Sequence, residues 1–484
     1  MKKIIALVLA AMMLVGMLAA CGGGGGNNNG GDKPDDDIEL KVIPTLDTEA
    51  QIEVEFWHAM GQANQAIIQA IIDEFNVYYP NITVTQTSMG DYTTLRDTIT
   101  SGIPANEVPT IAQTYPDHVA LYLAGDAVAE LDSYLASDTN VLLADGTYEK
   151  VGLSQAEQDQ YIDGFWAEGT VYDSRGTMYS VPFNKSTEVL FYNKTIFEKY
   201  GYAVPKTWDD ILTICEDFVT RPEYTNLASQ GKKASVFSID SSANLFITLT
   251  QQWGGEYTKF DSNGKGQYAF NNSESKAAMA FFKENFDKGY FASATYFGAD
   301  YSSDAFKAQQ CIMTIGSSAG ASYNSPTDGS FEAGVAAYPQ KDMNNAQVIQ
   351  QGTNVSLFKC SNPQEELAGW LFMKFLTNFE SALRWCTETA YFPIRKDVLN
   401  STEYAEHISG IIRDETTGEL IERPNTVQLA QKVGLTQQDW FYSNVAFKGS
   451  SAARDNAEII VDQILYGNKS IDDAYKEAMN DLLS

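Results

Sequence analysis

Residues 52–75 read IEVEFWHAMGQANQAIIQAIIDEF and predict a β-strand followed directly by a helix. Up to Trp57 apolar and charged residues alternate, which is the period-two pattern of a strand with one buried face. The isoleucines between residues 67 and 72 then recur at the spacing of one helical face. Pro80 ends this helix, because proline cannot continue the hydrogen-bonding pattern of a helix. The stretch therefore predicts a β-α unit.

The same alternation of strands and helices continues towards the C terminus. Strand-like segments follow at 82–85, 110–112, 189–192, 235–239, 311–315 and 355–358, and helical patterns at 93–101, 208–219, 277–286, from Pro363 and from Ala452. Pro363 with Glu365 and Glu366 is typical of a helix start, since acids there complement the helix dipole. The alternation predicts an α/β fold with mainly parallel sheets flanked by helices, in two units.

The charge of the chain excludes one class of partner. Its 484 residues include 63 Asp and Glu against 33 Lys and Arg, so the formal charge is −30. Nucleic acid is excluded as a partner, because its phosphates must be neutralised by clustered basic residues. The three histidines cannot form an HExxH zinc site and no phosphate-binding glycine loop occurs, so we expect no metal and no cofactor.

The N-terminal segment is typical of an exported protein. Two lysines precede an apolar run that ends in Leu-Ala-Ala before Cys21, so we expect residues 1–20 to be a signal peptide. The motif resembles the lipobox of bacterial lipoproteins, which implies a lipidated Cys21 and anchoring to the outer face of the cell membrane. Residues 21–50 are rich in Gly, Asn and Asp, and we expect them to be a disordered tether. Membrane contact is expected only through this anchor.

Four further cysteines, Cys215, Cys311, Cys360 and Cys386, match no zinc-binding spacing. We interpret them as buried free thiols, while disulfide formation in an exported protein stays open. The segment Asp261–Gly266 is similar to the start of a calcium loop, but a lysine stands at a ligand position. We interpret it as a hairpin turn.

One motif predicts an enzyme. Residues 316–320 fit GxSxG after an apolar strand, which would make Ser318 a nucleophile, with His407 as base and Asp342 or Asp397 as its partner. Small residues in such a loop also allow a sharp turn whose backbone donates hydrogen bonds. We favour this second interpretation, with a secreted serine esterase as the alternative.

Six ordered blocks carry a family resemblance. They are Glu55–Gly61, Glu74–Asn76 with Tyr79-Pro80, Pro182–Lys194, Pro205–Asp210, Gly316–Gly320 and Thr389–Arg395. From about residue 52 to the end, the chain resembles the extracellular solute-binding proteins of ABC importers, which include maltose-binding and glycerol-3-phosphate-binding proteins. The resemblance implies a binding protein that is not an enzyme, needs no cofactor and is a monomer. Its partners would be a small solute and the transmembrane subunits of a permease.

The resemblance implies a two-lobed periplasmic-binding-protein-like fold of type II, with the ligand in the cleft. We expect the first lobe at 51–187 plus 353–393 and the second at 188–352 plus 394–484. The chain would cross between them near Thr187, Gly352 and Pro393. Cleft pockets of this kind let two rigid walls close on a solute.

Candidate ligand contacts come from two sources. The resemblance implies Tyr92, Ser186, Ser318, Gly352 and Tyr391. The ends of the first and third strands add Trp57, His58, Tyr115 and Asp117, because open α/β sheets bind ligands at strand ends. Trp253 is a possible stacking platform, and Arg395 is a possible contact for an anionic group.

The residue types in this set favour a carbohydrate. Aromatic faces suit the C–H face of a sugar ring, and carboxylates accept hydrogen bonds from hydroxyl groups. The phosphate-binding branch carries two tryptophans where residues 239–243 have none. Its C-terminal arginine has no clear counterpart at 448–451, and Arg454 comes only later. We therefore predict a mono- or oligosaccharide, with glycerol 3-phosphate or a glycerophosphodiester as the alternative.

Overall fold

The computed structural model describes residues 38–413 and 419–484. The predicted signal peptide, Cys21 and most of the predicted tether lie outside these residues. Residues 38–50 are described, and Ile43 and Leu46 there are buried against the protein's first core. The prediction of a disordered tether is therefore wrong for this last part, because two apolar side chains are removed from water. Within the described residues, no helix has the length and apolar character that a membrane crossing requires.

The described strands form one large sheet and three two-stranded hairpins. In chain order they are β1 (Ile52–His58), β2 (Ile82–Ser88), β3 (Ile111–Thr114), β4 (Asn140–Leu142), β5 (Tyr148–Lys150), β6 (Val181–Asn193), β7 (Phe237–Ile239), β8 (Thr258–Phe260), β9 (Gly266–Tyr268), β10 (Phe291–Ser293), β11 (Met313–Ser317), β12 (Ala333–Ala336), β13 (Val348–Leu357), β14 (Ile411–Arg413), β15 (Leu420–Glu422) and β16 (Phe441–Tyr442). The hairpins are β4–β5, β8–β9 and β14–β15. The turn that joins β8 to β9 confirms the hairpin predicted at Asp261–Gly266.

Helices cover the sheet and fill the intervals between strands. They are α1 (Gln62–Tyr78), α2 (Tyr92–Gly102), α3 (Pro116–Leu123), α4 (Asp132–Leu135), α5 (Gln155–Gln158), α6 (Asp163–Ala167), α7 (Lys194–Tyr200), α8 (Trp208–Phe218), α9 (Pro222–Ser229), α10 (Ser242–Gln252), α11 (Ser273–Asp287), α12 (Ala294–Phe297), α13 (Ser302–Lys307), α14 (Pro363–Leu376), α15 (Phe379–Glu388), α16 (Lys396–Leu399), α17 (Thr402–Ser409), α18 (Thr426–Leu435), α19 (Ser450–Leu465) and α20 (Ile471–Leu483). Short 3₁₀ helices lie at Ile103–Ala105, Glu168–Thr170, Ser318–Asn324, Met343–Asn345 and Gln438–Trp440. As predicted, α14 begins at Pro363, and Asn362 caps it by accepting from the Gln364 amide at 3.0 Å.

The large sheet has parallel strands at both ends. Its order is β10-β7-β11-β6-β13-β3-β1-β2, with β12 on β6 and β16 on β13. Strand β1 is parallel to β2 and β3, and β7 is parallel to β10 and β11. The α/β fold with mainly parallel units is confirmed.

Two long crossing strands, β6 and β13, connect these parallel ends. The first part of β6 pairs with β13, and from Glu188 onward β6 pairs with β11. Strand β13 pairs with β16 at its start and with β3 from Asn354 onward. Thr187 and Gly352, where we expected chain crossings, lie in the middle of these two strands, which pair with each other there.

Among the described residues, the two largest hydrophobic cores lie at opposite ends of the sheet. Helices α1, α14 and α15 pack in the first core, and α8, α10, α11 and α19 pack in the second. Ile394, Val398 and Tyr404 belong to the first core, although we expected everything from 394 onward in the second lobe. The reason is that α16 and α17 pack on α15, so the chain joins the second core only from Trp440 onward, mainly through α19.

The four cysteines are free thiols. Cys215, Cys311 and Cys386 are buried, as predicted, and Cys360 is half-buried. Burial raises the pKa of the Cys311 thiol to about 12, with a smaller opposing effect from its hydrogen bond to Ser238. A thiol in this state is unreactive, which fits a packing role.

Candidate ligand-binding cleft

Two adjoining cavities lie beside the middle of β6 and β13. The larger cavity has a volume of about 580 Å³ and the smaller cavity about 110 Å³. Both are lined by Tyr115, Gln351 and Gly352. Tyr391 lines the larger cavity on the side of the first core, and Asn324 lines it on the side of the second. The cavities therefore form one cleft between the two cores, which is where ligand pockets are favoured.

Tyrosine rings form much of the wall of the larger cavity. Tyr391 follows α15 and stacks on Trp385, with ring centroids 5.7 Å apart and planes 16° apart. The backbone carbonyl of Tyr391 accepts a hydrogen bond from Gln431 Nε2 at 2.8 Å, which fixes this segment. Tyr92 opens α2 and meets Tyr115 edge to face at 5.0 Å. The rings are thus held in place before any ligand arrives.

The hydroxyl groups of these tyrosines stay protonated. Burial raises the pKa of Tyr92 and of Tyr391. Asn184 Nδ2 donates to the Tyr92 hydroxyl at 3.4 Å. Each hydroxyl therefore remains a hydrogen-bond donor at physiological pH.

The smaller cavity contains opposite charges. Asp117 lies in the first turn of α3 and accepts a hydrogen bond from Ser451 Oγ at 2.8 Å. Burial acts to raise the pKa of Asp117, but electrostatic interactions with His118 and Arg454 and the serine hydrogen bond outweigh it, and the pKa is lowered. Arg454 donates from Nη2 to Asn244 Oδ1 at 2.6 Å. In the described part of the chain, no carboxylate lies within 4.0 Å of this guanidinium.

Asn244 links the cleft to the crossing strand β6. Its Nδ2 donates to Glu188 Oε1 at 3.0 Å, while its Oδ1 accepts from Arg454. Glu188 is buried, and its Oε2 has no hydrogen-bond partner among the described residues. Burial raises the pKa of Glu188 to about 7, with a smaller opposing effect from Asn244.

Replacing Glu188 with glutamine is expected to stabilise the protein at pH 8 by about 3 kcal/mol and to change little at pH 5. Native Glu188 keeps its proton up to about pH 7, whereas the unfolded chain releases it near the ordinary value of 4.5. The stability that protonated Glu188 contributes is therefore lost as the pH rises from 4.5 to about 7. Urea unfolding of both proteins across this pH range measures the difference. The control Glu198→Gln, at an exposed residue, should leave the dependence of stability on pH unchanged. If stability depended on pH in the same way in Glu188→Gln and in the parent protein, the expectation would be contradicted.

A buried ion pair lies beside the smaller cavity. Lys185 of β6 has no exposed side-chain surface, and its Nζ donates to the carboxylate of Glu168, which lines this cavity. The same ammonium group lies 3.4 Å from the Gly352 carbonyl oxygen. The pair thus braces the two crossing strands against the cleft wall.

Six of the eleven predicted contacts line the cleft. They are Tyr92, Tyr115, Asp117, Ser186, Gly352 and Tyr391. The other five, Trp57, His58, Trp253, Ser318 and Arg395, are not among the lining residues of either cavity. Cys21 lies outside the described residues.

Three of these five are packing residues. Trp57 packs against a small cluster around Leu95, and Trp253 packs on Phe281 at 5.2 Å. His58 is fully buried, pairs with Gln86 at 3.0 Å and accepts from the Met60 amide at 3.2 Å. The expectation from strand ends fails for His58 because alternation along β1 directs it into the core.

The other two are bound to neighbouring protein groups. Ser318 Oγ is buried and accepts from the Thr187 amide at 3.3 Å, so it faces the crossing strand while Ser317 and Ala319 line the cavity. Arg395 is paired with Asp397 at 2.7 Å.

The esterase alternative requires His407 beside Ser318. His407 instead shares a hydrogen bond with Gln431 at 3.0 Å. Asp397, one of its two possible partners, is the residue that pairs with Arg395. The described contacts therefore do not bring the expected triad together.

Several lining residues were missed from the sequence. They are Asp240, Tyr301, Asp304, Ser317, Tyr323, Asn324 and Gln351 in the larger cavity, and Glu168, Asn244, Tyr257, Gln350 and Tyr442 in the smaller. Asp240 directly follows β7, so the strand-end argument applied to β1 and β3 would have found it. Arg454 was weighed for a phosphate, and it lines the smaller cavity.

Comparison with known proteins agrees with this architecture. The sn-glycerol-3-phosphate-binding periplasmic protein UgpB of Escherichia coli K12 is 25% identical over 394 residues, which cover 78% of this chain and 82% of that protein. UgpB of Mycobacterium tuberculosis, solved with glycerophosphocholine, has a TM-score of 0.69 at 17% identity and covers 89% of this chain and 97% of its own. The GacH receptor of Streptomyces glaucescens, solved without ligand and with acarbose, has a TM-score of 0.68 at 18% identity, covering 89% and 98%.

The structural neighbours establish the two-lobed fold of periplasmic binding proteins. A family model described as bacterial extracellular solute-binding protein matches residues 70–409, which is most of the chain. This match spans both long crossing strands and most of the cleft. The chain belongs to the bacterial extracellular solute-binding protein family.

Proposed function

We propose that this protein captures a mono- or oligosaccharide in the cleft and delivers it to the transmembrane subunits of an ABC importer. The observation that carries the proposal is the wall of the larger cavity, where the Tyr391 ring is fixed on Trp385 beside polar groups such as Asp240 and Gln351. A rigid aromatic face binds the C–H face of a sugar, and carboxylates accept its hydroxyl hydrogens. Anchoring through a lipidated Cys21 and a monomeric state complete the proposal, and the Leu-Ala-Ala-Cys motif supports the anchor.

Contacts across the cleft support capture by closure. Arg96 of α2 lies 3.5 Å from Asp455 of α19, and Ser451 of α19 donates to Asp117 of α3. These contacts join the two sides of the cleft next to the smaller cavity. A solute that binds better when they are formed shifts the protein towards the closed state, which the permease would then recognise.

A second candidate ligand is glycerol 3-phosphate or a glycerophosphodiester. The specific observation is Arg454, whose guanidinium lines the smaller cavity with only the neutral amide of Asn244 as its hydrogen-bond partner in the described chain. Guanidinium groups bind phosphate oxygens through paired hydrogen bonds. The glycerol-3-phosphate-binding relatives support this candidate.

A thermal shift panel separates the two ligand classes. The protein from residue 32 onward is melted with mono- and oligosaccharides, glycerol 3-phosphate and glycerophosphocholine. A ligand at about 100 times its dissociation constant adds about 2.7 kcal/mol to stability, which raises the melting temperature measurably. Shifts with a sugar class support the proposal, and shifts with phosphates alone support the second candidate. A protein that melts cooperatively but responds to no solute would contradict both.

Replacing Tyr391 with alanine is expected to weaken solute binding by about 2 kcal/mol, or about 30-fold, because the cleft loses its fixed aromatic face. Calorimetric titration of the solute identified by the panel measures the change. Tyr391→Phe keeps the ring and should lose less affinity. Tyr148→Ala, at an exposed tyrosine on the β4–β5 hairpin, is the control and should bind like the parent protein. Full affinity in Tyr391→Ala would remove this residue from the site.

A further inference from the structure

The larger cavity has negative charge without a matching positive charge. Asp240 and Asp304 line it, and none of its described lining residues is lysine, arginine or histidine. Asp304 is largely exposed and is paired with Lys307 at 3.3 Å. Asp240 has no lysine or arginine nitrogen within 4.0 Å in the described chain. The uncompensated charge in this cavity is therefore that of Asp240.

Asp240 is held rigidly and is partly removed from water. Its Oδ1 accepts from the Ser302 amide at 2.7 Å and from Ser302 Oγ at 3.2 Å. Burial raises its pKa, although the Ser302 hydrogen bonds oppose this effect. A carboxylate in this state is destabilised relative to water, and a cation in the cavity would relieve the cost.

A buried amide with an unpartnered oxygen atom lies in the same wall. Asn324 is only 4% exposed and lines the larger cavity. Its Nδ2 donates to the Gly320 carbonyl at 3.1 Å, which fixes the orientation of the amide. Its Oδ1 has no hydrogen-bond partner among the described residues, and the same is true of Gln351 Oε1. Two amide oxygens in residues of this wall therefore have unused hydrogen-bonding capacity.

Asp240 and Asn324 converge on one point of the wall. A methyl group placed on Gly316 would lie 3.6 Å from Asp240 Oδ2 and 3.9 Å from Asn324 Nδ2. Both side chains therefore lie beside Gly316, at the start of the loop at 316–320.

Five tyrosine side chains also line the larger cavity. Tyr92, Tyr115 and Tyr391 line the cavity from one side, and Tyr301 and Tyr323 line it from the other. Tyr301 is 63% exposed and Tyr323 is 68% exposed, which is unusual for two large aromatic side chains at the same cavity. Aromatic faces attract cations, and ammonium groups in particular are bound by such rings.

We propose that the transported solute carries a protonated amino group, as an amino sugar does, and that this group binds in the larger cavity between Asp240 and the surrounding tyrosines. The inference rests on the proposed function, since it assumes that the cleft binds the solute. Hydroxyl groups of a neutral sugar would satisfy the acceptors but leave the Asp240 charge uncompensated. An ammonium group satisfies both the acceptors and the charge.

Matched pairs of solutes test this proposal. The probes are glucosamine, N-acetylglucosamine and a disaccharide of each, titrated calorimetrically into the protein from residue 32 onward at low and high salt. We expect the amino form of a pair to bind at least about tenfold more tightly than the acetylated form. Added salt should weaken its binding, since screening reduces the attraction between charges.

Two variants connect the preference to Asp240. Asp240→Asn keeps an oxygen acceptor for Ser302 and should bring the two affinities close together. Asp287→Asn is the matched control and should keep the preference, because Asp287 lines neither cavity and is already paired with Lys283. The melting temperatures of both variants show whether each remains folded.

The outcomes separate this inference from the proposed function. Equal or tighter binding of the acetylated form, or a preference unchanged in Asp240→Asn, would overturn the ammonium site. Binding of a neutral sugar from the panel, with no binding of the corresponding amino sugar, would also overturn the ammonium site. The proposed capture of a carbohydrate would then remain. A folded protein that binds none of the amino, acetylated or panel sugars would overturn both.

Discussion

Replacing Gly352 with alanine is expected to destabilise the protein by about 4 kcal/mol, as backbone strain and steric overlap add together. Gly352 has a φ of +91°, which L-residues rarely adopt. A Cβ at this position would lie 2.0 Å from the Asn184 carbonyl oxygen and 2.7 Å from the Lys185 Cα. Both clashes are with the backbone of β6, which is paired with β13 here and cannot move away cheaply.

Urea unfolding of Gly352→Ala against the parent protein measures this cost. Gly320→Ala is the matched control, because Gly320 lines the same larger cavity but a Cβ there would meet nothing within 4 Å. We expect the control to change stability by no more than about 0.5 kcal/mol. Similar unfolding curves for the two variants would show that the close approach of β6 and β13 at Gly352 is not important for stability.

Replacing Lys185 with methionine is expected to cost a similar amount, about 4 kcal/mol, because it leaves the Glu168 carboxylate buried without its partner. The methionine side chain occupies comparable space, so the effect reports mainly on charge. Replacing Glu168 with glutamine in the same chain should recover much of the loss, since no unpaired buried charge remains.

Equilibrium unfolding of the single and double variants measures this coupling. Lys194→Met is the control, because its ion pair with Glu332 is partly exposed and should contribute only about 0–1 kcal/mol. If Lys185→Met were no less stable than Lys194→Met, the buried pair would not brace the crossing strands.

The sequence predicted the α/β class because the β1–α1 pattern and its later repeats have one buried face. It did not predict the full length of β6. The strand-like segment recognised at 189–192 is only the C-terminal part of β6, which begins at Val181. The preceding residues, such as Lys185 and Thr187, are polar yet buried, so hydrophobic alternation is absent where both faces of the strand are covered.

The candidate cleft was predicted in part. Tyr115 and Asp117 were found because they follow a strand, and the family resemblance supplied Tyr92, Ser186, Gly352 and Tyr391. The contribution of the second core was mostly missed, apart from Arg454, which was weighed only as a phosphate contact. Residues such as Asn244 come from a helix whose approach to β13 depends on how the chain packs. No local pattern in the sequence encodes that approach.

A crystal structure of the protein with the solute that stabilises it most is the decisive test of ligand capture in the cleft. We expect the solute to fill the adjoining cavities, with a ring of the solute against Tyr391 and polar contacts to Gln351 and Gly352. A cleft without solute at saturating concentration, or a solute bound only outside it, for example along the exposed surface of α19, would contradict ligand capture in this cleft.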